Sequence, residues 1–351
     1  MRVLHCIPTL GEGGAERQLA HLTNELPVYG VDVHLALMKE GVMRKHFHGQ
    51  PQLHLLPVAG SYDPRLVTSL VRLIRRLQPD IVQSWLTQMD VVGGSAAKLT
   101  RGRWILTERS SEMAYAPSPK TTVRNALGRR ADAIIANSYA GLEYWKRQRP
   151  RTTLLRRIPN AVSVAVPAAA SMHQPLRPPR TNIVSMNRLS PDKNHRTLVE
   201  ALAFVDITAR ICGTGPTEPL LRERVAALGI GDRVTFAGHV ADVAEAHRSS
   251  DLFVSISHFE GLPNSVIEAA LSGVPLVLSD IPAHRELFDD EQALFVDGSD
   301  PRSVANGLRR GLADPDAAVR RARNARNVVE QWKPRVIAGE YHRLYQELLD
   351  K

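Results

Sequence analysis

The strongest constraint on this chain is a rhythm. Short β-rich runs, "RVLHCIP", "VDVHLALM", "LHLLPV", "DIVQSW", "RWILTE", "DAIIAN" and "LLRRIP", alternate with helical segments such as "AERQLAHLTNEL" and "VVGGSAAKLTR". Runs of this kind alternating with helices build βαβ units, a parallel sheet with helices on both faces. The rhythm then breaks at "VSVAVPAAASMHQPLRPPRT" (Val162–Thr181), which is rich in Pro, Ala and Ser, lacks periodicity and predicts a linker. It restarts with "TNIVSMN", "ITARICG", "RVTFAG", "DLFVSI", "PLVLS" and "ALFVD". A length of 351 residues accommodates two medium-sized domains. The expectation is therefore two doubly wound α/β domains, 1–165 and 181–333, joined by a linker at 166–180. The terminal amphipathic helix, 334–351, is expected to cross back onto the first domain. Ligands sit at the C-terminal ends of parallel strands, so the cleft between two such sheets is the expected active site.

Charge narrows the partners. The net charge is +9, which suits nucleic acid, an anionic membrane surface or a phosphorylated substrate. "RLVTSLVRLIRRLQP" (Arg65–Pro79) spaces Leu66, Leu70, Leu73 and Leu77 at helical intervals beside Arg72, Arg75 and Arg76. "GLEYWKRQRPRTTLLRRIP" (Gly141–Pro159) mixes Tyr144 and Trp145 with Lys and Arg. That mixture fits either a segment lying on anionic lipid or a solvated basic face backed by a core Trp. No zinc-finger or RNP sequence accompanies the charge, so no nucleic acid is expected as partner. No run approaches the roughly 20 apolar residues that span a bilayer. The N-terminus reads as a buried strand entering a loop rather than a signal peptide. Cys6 and Cys212 both lie in apolar runs, as buried thiols in a reducing cytosol do.

Four loops carry candidate chemistry. "TLGEGGAER" places Gly11, Gly13 and Gly14 between a strand and a helix start, where backbone can approach an anion. Glu16 stands where a dinucleotide fingerprint needs its third glycine, and no Walker lysine follows. "SMNRLSPDKNHRTLVEAL" sets Arg188 and Lys193 across a strand-to-helix loop, a fork of donors and a compact charge suited to a diphosphate. "RICGTGPTEPLL" carries Gly213 and Gly215, and "RVTFAGHV" ends a strand near His239 and Val240. "SHFEGLPNSVIEAALSGVPLVLSD" puts Glu260 on a loop and Glu268 inside the helix that it feeds. The helix start between these two glutamates is a ready anion site.

Taken together, Gly13-Gly14-Ala15-Glu16, Arg188 with Lys193, Gly213-Thr214-Gly215, and Glu260-Gly261 with Glu268 in an E-x7-E arrangement resemble the retaining GT-B glycosyltransferases of family 4. "IPNAVSV" (Ile158–Val164) is similar to the family's domain-exit segment, with Ala161 where glycine is usual. The resemblance implies a GT-B fold of two Rossmann-like domains, acceptor-binding first and donor-binding second. It further implies transfer of a hexose or N-acetylhexosamine from a nucleotide sugar, usually UDP-linked, with anomeric retention. Arg188 and Lys193 would hold the diphosphate and offset charge on the leaving group, so neither metal nor cofactor is expected. Glu268 would hold the ribose, and Glu260 the donor sugar, helped by Gly261, Leu262 and Asn264. Ser265 and Val266 would offer N–H groups to the phosphates and Gly13-Gly14 would close over them. Asn187, Gly213, Gly215, His239 and Val240 complete the expected donor side. The expected catalytic set is Arg188, Lys193 and Glu260.

The chain also departs from the family pattern. Many relatives carry a histidine after the fourth or fifth strand of the first domain, whereas "QSWLTQMD" and "TERSSEMAY" contain none. Trp85, Glu108 and Arg109 occupy those loops and become acceptor-side candidates, with Glu108 a candidate for proton transfer. The expected setting is the cytoplasm, peripherally on the inner face of the plasma membrane, building lipopolysaccharide or another bacterial surface glycan on a lipid-linked or glycan acceptor. Two other functions stay open: a UDP-GlcNAc 2-epimerase-like isomerase, and a non-catalytic nucleotide-sugar-binding protein.

Overall fold

Each β-rich run forms a strand. The computed structural model describes residues 1–351 apart from 12, 50, 59, 61–62, 110–117, 153, 164–181 and 241, so the expected linker lies outside the described residues. The first sheet contains β1 (Arg2–Cys6), β2 (Asp32–Leu37), β3 (Gln52–Leu55), β4 (Ile81–Trp85), β5 (Arg103–Glu108), β6 (Ala133–Ala136) and β7 (Leu155–Arg157). Its order is β3-β2-β1-β4-β5-β6-β7, parallel throughout. The second contains β8 (Asn182–Met186), β9 (Thr208–Cys212), β10 (Val234–Gly238), β11 (Leu252–Ser255), β12 (Leu276–Ser279) and β13 (Leu294–Val296). Its order is β10-β9-β8-β11-β12-β13, again parallel. Both orders reverse beside the first strand of the sheet. Such a switch point leaves a crevice at the strands' C-terminal ends.

The chain divides into two units, Met1–Ala161 with Trp332–Lys351, and Val162–Gln331. In the first, α1 (Gly14–Glu25), α2 (Arg65–Leu77), α3 (Leu86–Leu99), α4 (Pro119–Gly128) and α5 (Tyr139–Arg147) connect the strands. In the second, α6 (His195–Leu202), α7 (Glu218–Ala227), α8 (Val243–Arg248), α9 (Asn264–Ser272) and α10 (Pro282–Arg285) do so, and α11 (Pro301–Ala313) and α12 (Pro315–Val329) follow β13. The last helix, α13 (Pro334–Leu349), belongs to the first unit. Tyr341 and Tyr345 anchor it: Arg109 donates to the Tyr341 hydroxyl at 2.7 Å, and the Tyr345 hydroxyl donates to Gln83 Oε1 at 2.5 Å. Buried hydroxyls need such partners, and here the sheet supplies them.

Trp104 and Trp145 are fully buried in the first core, alongside Leu4, Leu70, Val82 and Ile134. Gly94 and Gly128 make room, since a Cβ at either would collide with the Trp104 or the Trp145 ring. Tyr144 is buried too. The aromatics of the Gly141–Pro159 segment therefore do not face a lipid interface. Packing on the sheet takes them inward, and Lys146, Arg147 and Arg149 remain outside with Glu143, which pairs with Lys146 at 2.6 Å. At the far ends of α3 and α5, Arg101 and Arg149 adopt left-handed φ values of 59° and 51°. Glycine usually fills that position past a helix end, and any other L-residue there costs about 1–2 kcal/mol.

Candidate active site

The β8–α6 loop builds one wall of the site. Asn187 N–H donates to the Cys212 carbonyl at 3.1 Å and Leu189 N–H to the Thr214 carbonyl at 2.9 Å, so the loop is laced to the one that follows β9. Gly213 has φ 128°, and a Cβ there would strike the Asn187 carbonyl; one at Gly215 would strike that of Leu189. The two glycines let these loops lie against each other, which is why they occur where the sequence sets them. Arg188 is exposed, its Nε 3.4 Å from Ser190 Oγ. Ser190 in turn donates to Asp192 at 2.5 Å. Burial pushes the Asp192 carboxyl up, but the Ser190 hydroxyl and Lys193 outweigh it and hold the group below its usual range.

The β11–α9 loop faces this wall. Lys193 Nζ lies 2.7 Å from Glu260 Oε2, and Ser257 Oγ donates to Glu260 Oε1 at 2.8 Å. The side chains of Lys193 and Glu260 are only 16% and 8% exposed, so solvent screens the pair weakly. Ser265 Oγ donates to Asn187 Oδ1 at 2.8 Å, and His258 N–H donates to the Asp192 carbonyl at 2.9 Å. These bonds fix the two loops in register. Helix α9 starts after Pro263 with no side-chain cap, so its positive end is left to an incoming anion. Glu268 falls on the second turn of that helix, and Gly261, Leu262, Asn264 and Val266 fall on the loop and first turn. His239 and Val240 follow β10, with His239 exposed.

Beneath the loop lies a layer that the sequence reading missed. His284 is fully buried, and its Nδ1 sits 2.8 Å from the Ser279 carbonyl. Nδ1 therefore carries the proton. Ser279 Oγ donates to the Ser257 carbonyl at 2.7 Å, so the chain of contacts ends under Glu260. Burial holds the His284 imidazole below its usual range. Asn194 was missed as well. It adopts φ 52° ahead of α6, donates to the Gly298 carbonyl at 2.7 Å, and accepts from Thr197 at 2.8 Å. An asparagine directly before a helical run was the available signal for that left-handed turn.

The first unit treats its candidates differently. Trp85 and Glu108 are fully buried. Trp85 donates through Nε1 to His5 Nδ1 at 3.1 Å, while Glu108 pairs with Arg124 at 2.8 Å and accepts from Trp145 Nε1 at 2.9 Å. Both side chains are therefore held in the core of the first unit, with their polar atoms committed to protein partners. Glu108 ends β5, and Arg124, itself buried, draws it into the core together with Asp90. Arg109 stacks on Trp85 at 4.5 Å and donates to Asn160 at 2.6 Å and to Tyr341. Its guanidinium is a brace between β5, the end of the first unit and α13. At the β1–α1 loop, a Cβ on Gly13 would collide with the Glu16 carboxylate, so the glycine admits that side chain to the helix start. Burial raises the Glu16 pKa.

Residues 12–166 match the model described as Glycosyltransferase Family 4, and residues 171–328 the model described as Glycosyl transferases group 1. The chain belongs to glycosyltransferase family 4. Lipopolysaccharide core biosynthesis glycosyltransferase LpsE of Rhizobium meliloti is 26% identical over 95% of this chain and 96% of its own length. A Campylobacter jejuni enzyme, N-acetylgalactosamine-N,N'-diacetylbacillosaminyl-diphospho-undecaprenol 4-alpha-N-acetylgalactosaminyltransferase, is 26% identical over 88% of this chain and 89% of its own. Among solved structures, Anabaena Alr3699/HepE in complex with UDP superposes with a TM-score of 0.83 at 20% identity, covering 99% of this chain and all of that one. The fold is GT-B. In this family 4 glycosyltransferase, Asn187, Arg188, Lys193, Gly213, Gly215, Glu260 and Ser265 come together in the second unit.

Proposed function

We propose that the enzyme transfers a hexose or N-acetylhexosamine from a UDP-linked sugar, with retention, to a lipid-linked or glycan acceptor of a bacterial surface polysaccharide or lipopolysaccharide. The observation that carries this reading is the half-buried Lys193–Glu260 pair at 2.7 Å beside Arg188 and the uncapped start of α9. These three positive elements stand on two loops that the Lys193–Glu260 and Ser265–Asn187 bonds join, an arrangement suited to a diphosphate leaving group. Arg188 and Lys193 bind the diphosphate and stabilise the charge that appears on it as the anomeric bond breaks. Glu260 accepts hydrogen bonds from the donor sugar's hydroxyls while Lys193 turns toward phosphate. Glu268 accepts from the ribose hydroxyls, and the Ser265 N–H faces the phosphates, while the Val266 N–H donates to the Pro263 carbonyl at 3.1 Å and turns to phosphate only on exchanging that partner. The acceptor hydroxyl attacks on the face from which UDP leaves, and its proton passes to a phosphate oxygen of the departing UDP. This route places no base on the first unit, in keeping with the burial of Glu108.

The first unit serves the acceptor, the second the donor. The UDP assignment is supported by the nucleotide named with HepE, and the acceptor class by the lipopolysaccharide-core and undecaprenol-linked activities named for the two relatives. Such acceptors set the reaction on the cytoplasmic face of the plasma membrane. A thermal-shift screen across UDP- and GDP-sugars tests the donor, because a ligand at about 100 times its Kd stabilises the folded state by about 2.7 kcal/mol. One UDP-sugar should raise Tm, and UDP release should then require an added acceptor. Selective stabilisation by GDP-sugars would overturn the nucleotide assignment. Conversion of UDP-GlcNAc to UDP-ManNAc without acceptor would overturn the transferase reading.

A further inference from the structure

A cavity lies at the N-terminal end of the strands of the first sheet. It has a volume of about 710 Å³ and is lined by Lys98, Arg103, Arg130, Arg151, Lys351 and Asp132. Arg103 begins β5 and Glu108 ends it, so the cavity stands about 16 Å along the strand from the acceptor-side end. Its one lining carboxylate is committed: Asp132 Oδ2 takes Lys98 Nζ at 2.6 Å and the Trp104 N–H at 2.7 Å. Arg103 donates to the Leu349 carbonyl at 3.1 Å. Arg130 and Arg151 are exposed, and neither has an acidic partner among the described residues.

Cations gather at this end of any parallel α/β sheet, because helix C-termini carry partial negative charge. That explains Lys98, in the last turn of α3, and Arg130, which follows the α4 cap Arg129 and donates its N–H to the Leu127 carbonyl at 2.8 Å, but not Arg103 or Arg151. Arg103 begins a strand and Arg151 stands outside the helices altogether. Arg101 and Arg149, in left-handed positions where glycine would be relaxed, add two cations to the turns just before Arg103 and Arg151. Positive charge is therefore concentrated here beyond what the helices call for, and around a cavity rather than over a convex face. We propose that this pocket binds a phosphate-bearing anion, separately from the donor. Arg130 and Arg151 would donate to its oxygens, with Arg103 and Lys98 supplying field. A diphosphate free in solution and the headgroup of an anionic phospholipid share that chemistry.

The test uses the full chain carrying Arg188→Ala and Lys193→Ala, which silences phosphate binding at the donor loop. Inorganic pyrophosphate is titrated calorimetrically, and sedimentation is followed with vesicles of anionic or of zwitterionic phospholipid. Arg130→Gln with Arg151→Gln should weaken binding by about tenfold or more, the loss of charge-assisted hydrogen bonds. Arg196→Gln with Arg310→Gln, exposed cations of the second unit, should leave it unchanged. Variant-sensitive pyrophosphate binding identifies a soluble ligand, and variant-sensitive binding to anionic vesicles alone identifies a headgroup. If neither probe binds, or both bind equally well to the pocket variant, the proposal fails. Neither result depends on the donor assignment, since every protein in the series lacks the donor-loop cations.

Discussion

Lys193 and Glu260 illustrate how one pair of residues couples stability to turnover. Their side chains are 16% and 8% exposed, and each is the other's charged partner at 2.7 Å. Lys193→Ala strands a carboxylate that keeps only Ser257, whereas Lys193→Ala with Glu260→Gln removes the charge as well as its partner. Breaking a fully buried pair costs about 3–5 kcal/mol, and partial exposure here should bring that to about 1–3 kcal/mol. The double variant is expected to recover most of that loss in denaturant unfolding, yet not its activity. Loss of one donor that faces a developing oxyanion typically costs about 10²–10³ in kcat, so both variants should show at least that in UDP release. Recovery of turnover along with stability would mean that Lys193 acts only by neutralising Glu260. Sequence spacing could expose Glu260 and Lys193 as candidates because both sit on strand-to-helix loops. It could not expose their pairing, since the two lie 67 positions apart with three strands between them.

At the scale of elements, the same small residue serves opposite ends. Gly213 and Gly215 hold the β9–α7 loop against the donor loop, while Gly94 lets α3 approach Trp104. Gly213→Ala adds strain at φ 128° as well as a collision with the Asn187 carbonyl. It should displace Asn187 and Arg188 and weaken donor binding about tenfold or more, the effect of about 1–3 kcal/mol of strain at a site. Gly94→Ala meets only a core ring, and overpacking of that kind costs about 1–3 kcal/mol of stability. Its donor affinity should match that of the unaltered enzyme when both are measured by titration below the melting transition. Equal loss of donor affinity in both variants would show that the loop transmits global stability rather than local shape. The strands and the donor loops were legible because short apolar runs and glycine punctuation are local signals. A core Trp145 was one of two readings of its segment, but burial of Trp85 and Glu108 was not legible, because it depends on Arg124 and α13 arriving from elsewhere in the chain.

Across the whole molecule, buried histidines should govern the response to acid. Burial lowers His5 to about 3 from an ordinary 6.5, and chiefly the same cause lowers His21, His195 and His247 to about 4. Two lie in each unit. Below pH 6.5 the unfolded chain takes up these protons while the folded chain does not, so acid favours unfolding. Their contribution is complete above pH 6.5 and is lost as pH falls toward about 4. Asp90 and Glu16 oppose this trend, because burial raises their pKa values and the folded state binds their protons more readily. His54 and His284 are lowered as well, so six histidines against two carboxyls leave the slope positive with pH. Asp32, Asp192 and Asp280 are held below 3.8, so their losses come later, in a more acidic window. Tm should therefore fall progressively from pH 6.5 to 4, by about 2–4 °C for each kcal/mol lost in units of this size. His247→Gln should flatten that slope even if it lowers Tm at neutral pH, since Gln cannot charge. A Tm that stays level from pH 6.5 to 4, or a slope that His247→Gln leaves untouched, would mean that these imidazoles reach water and titrate in the folded state.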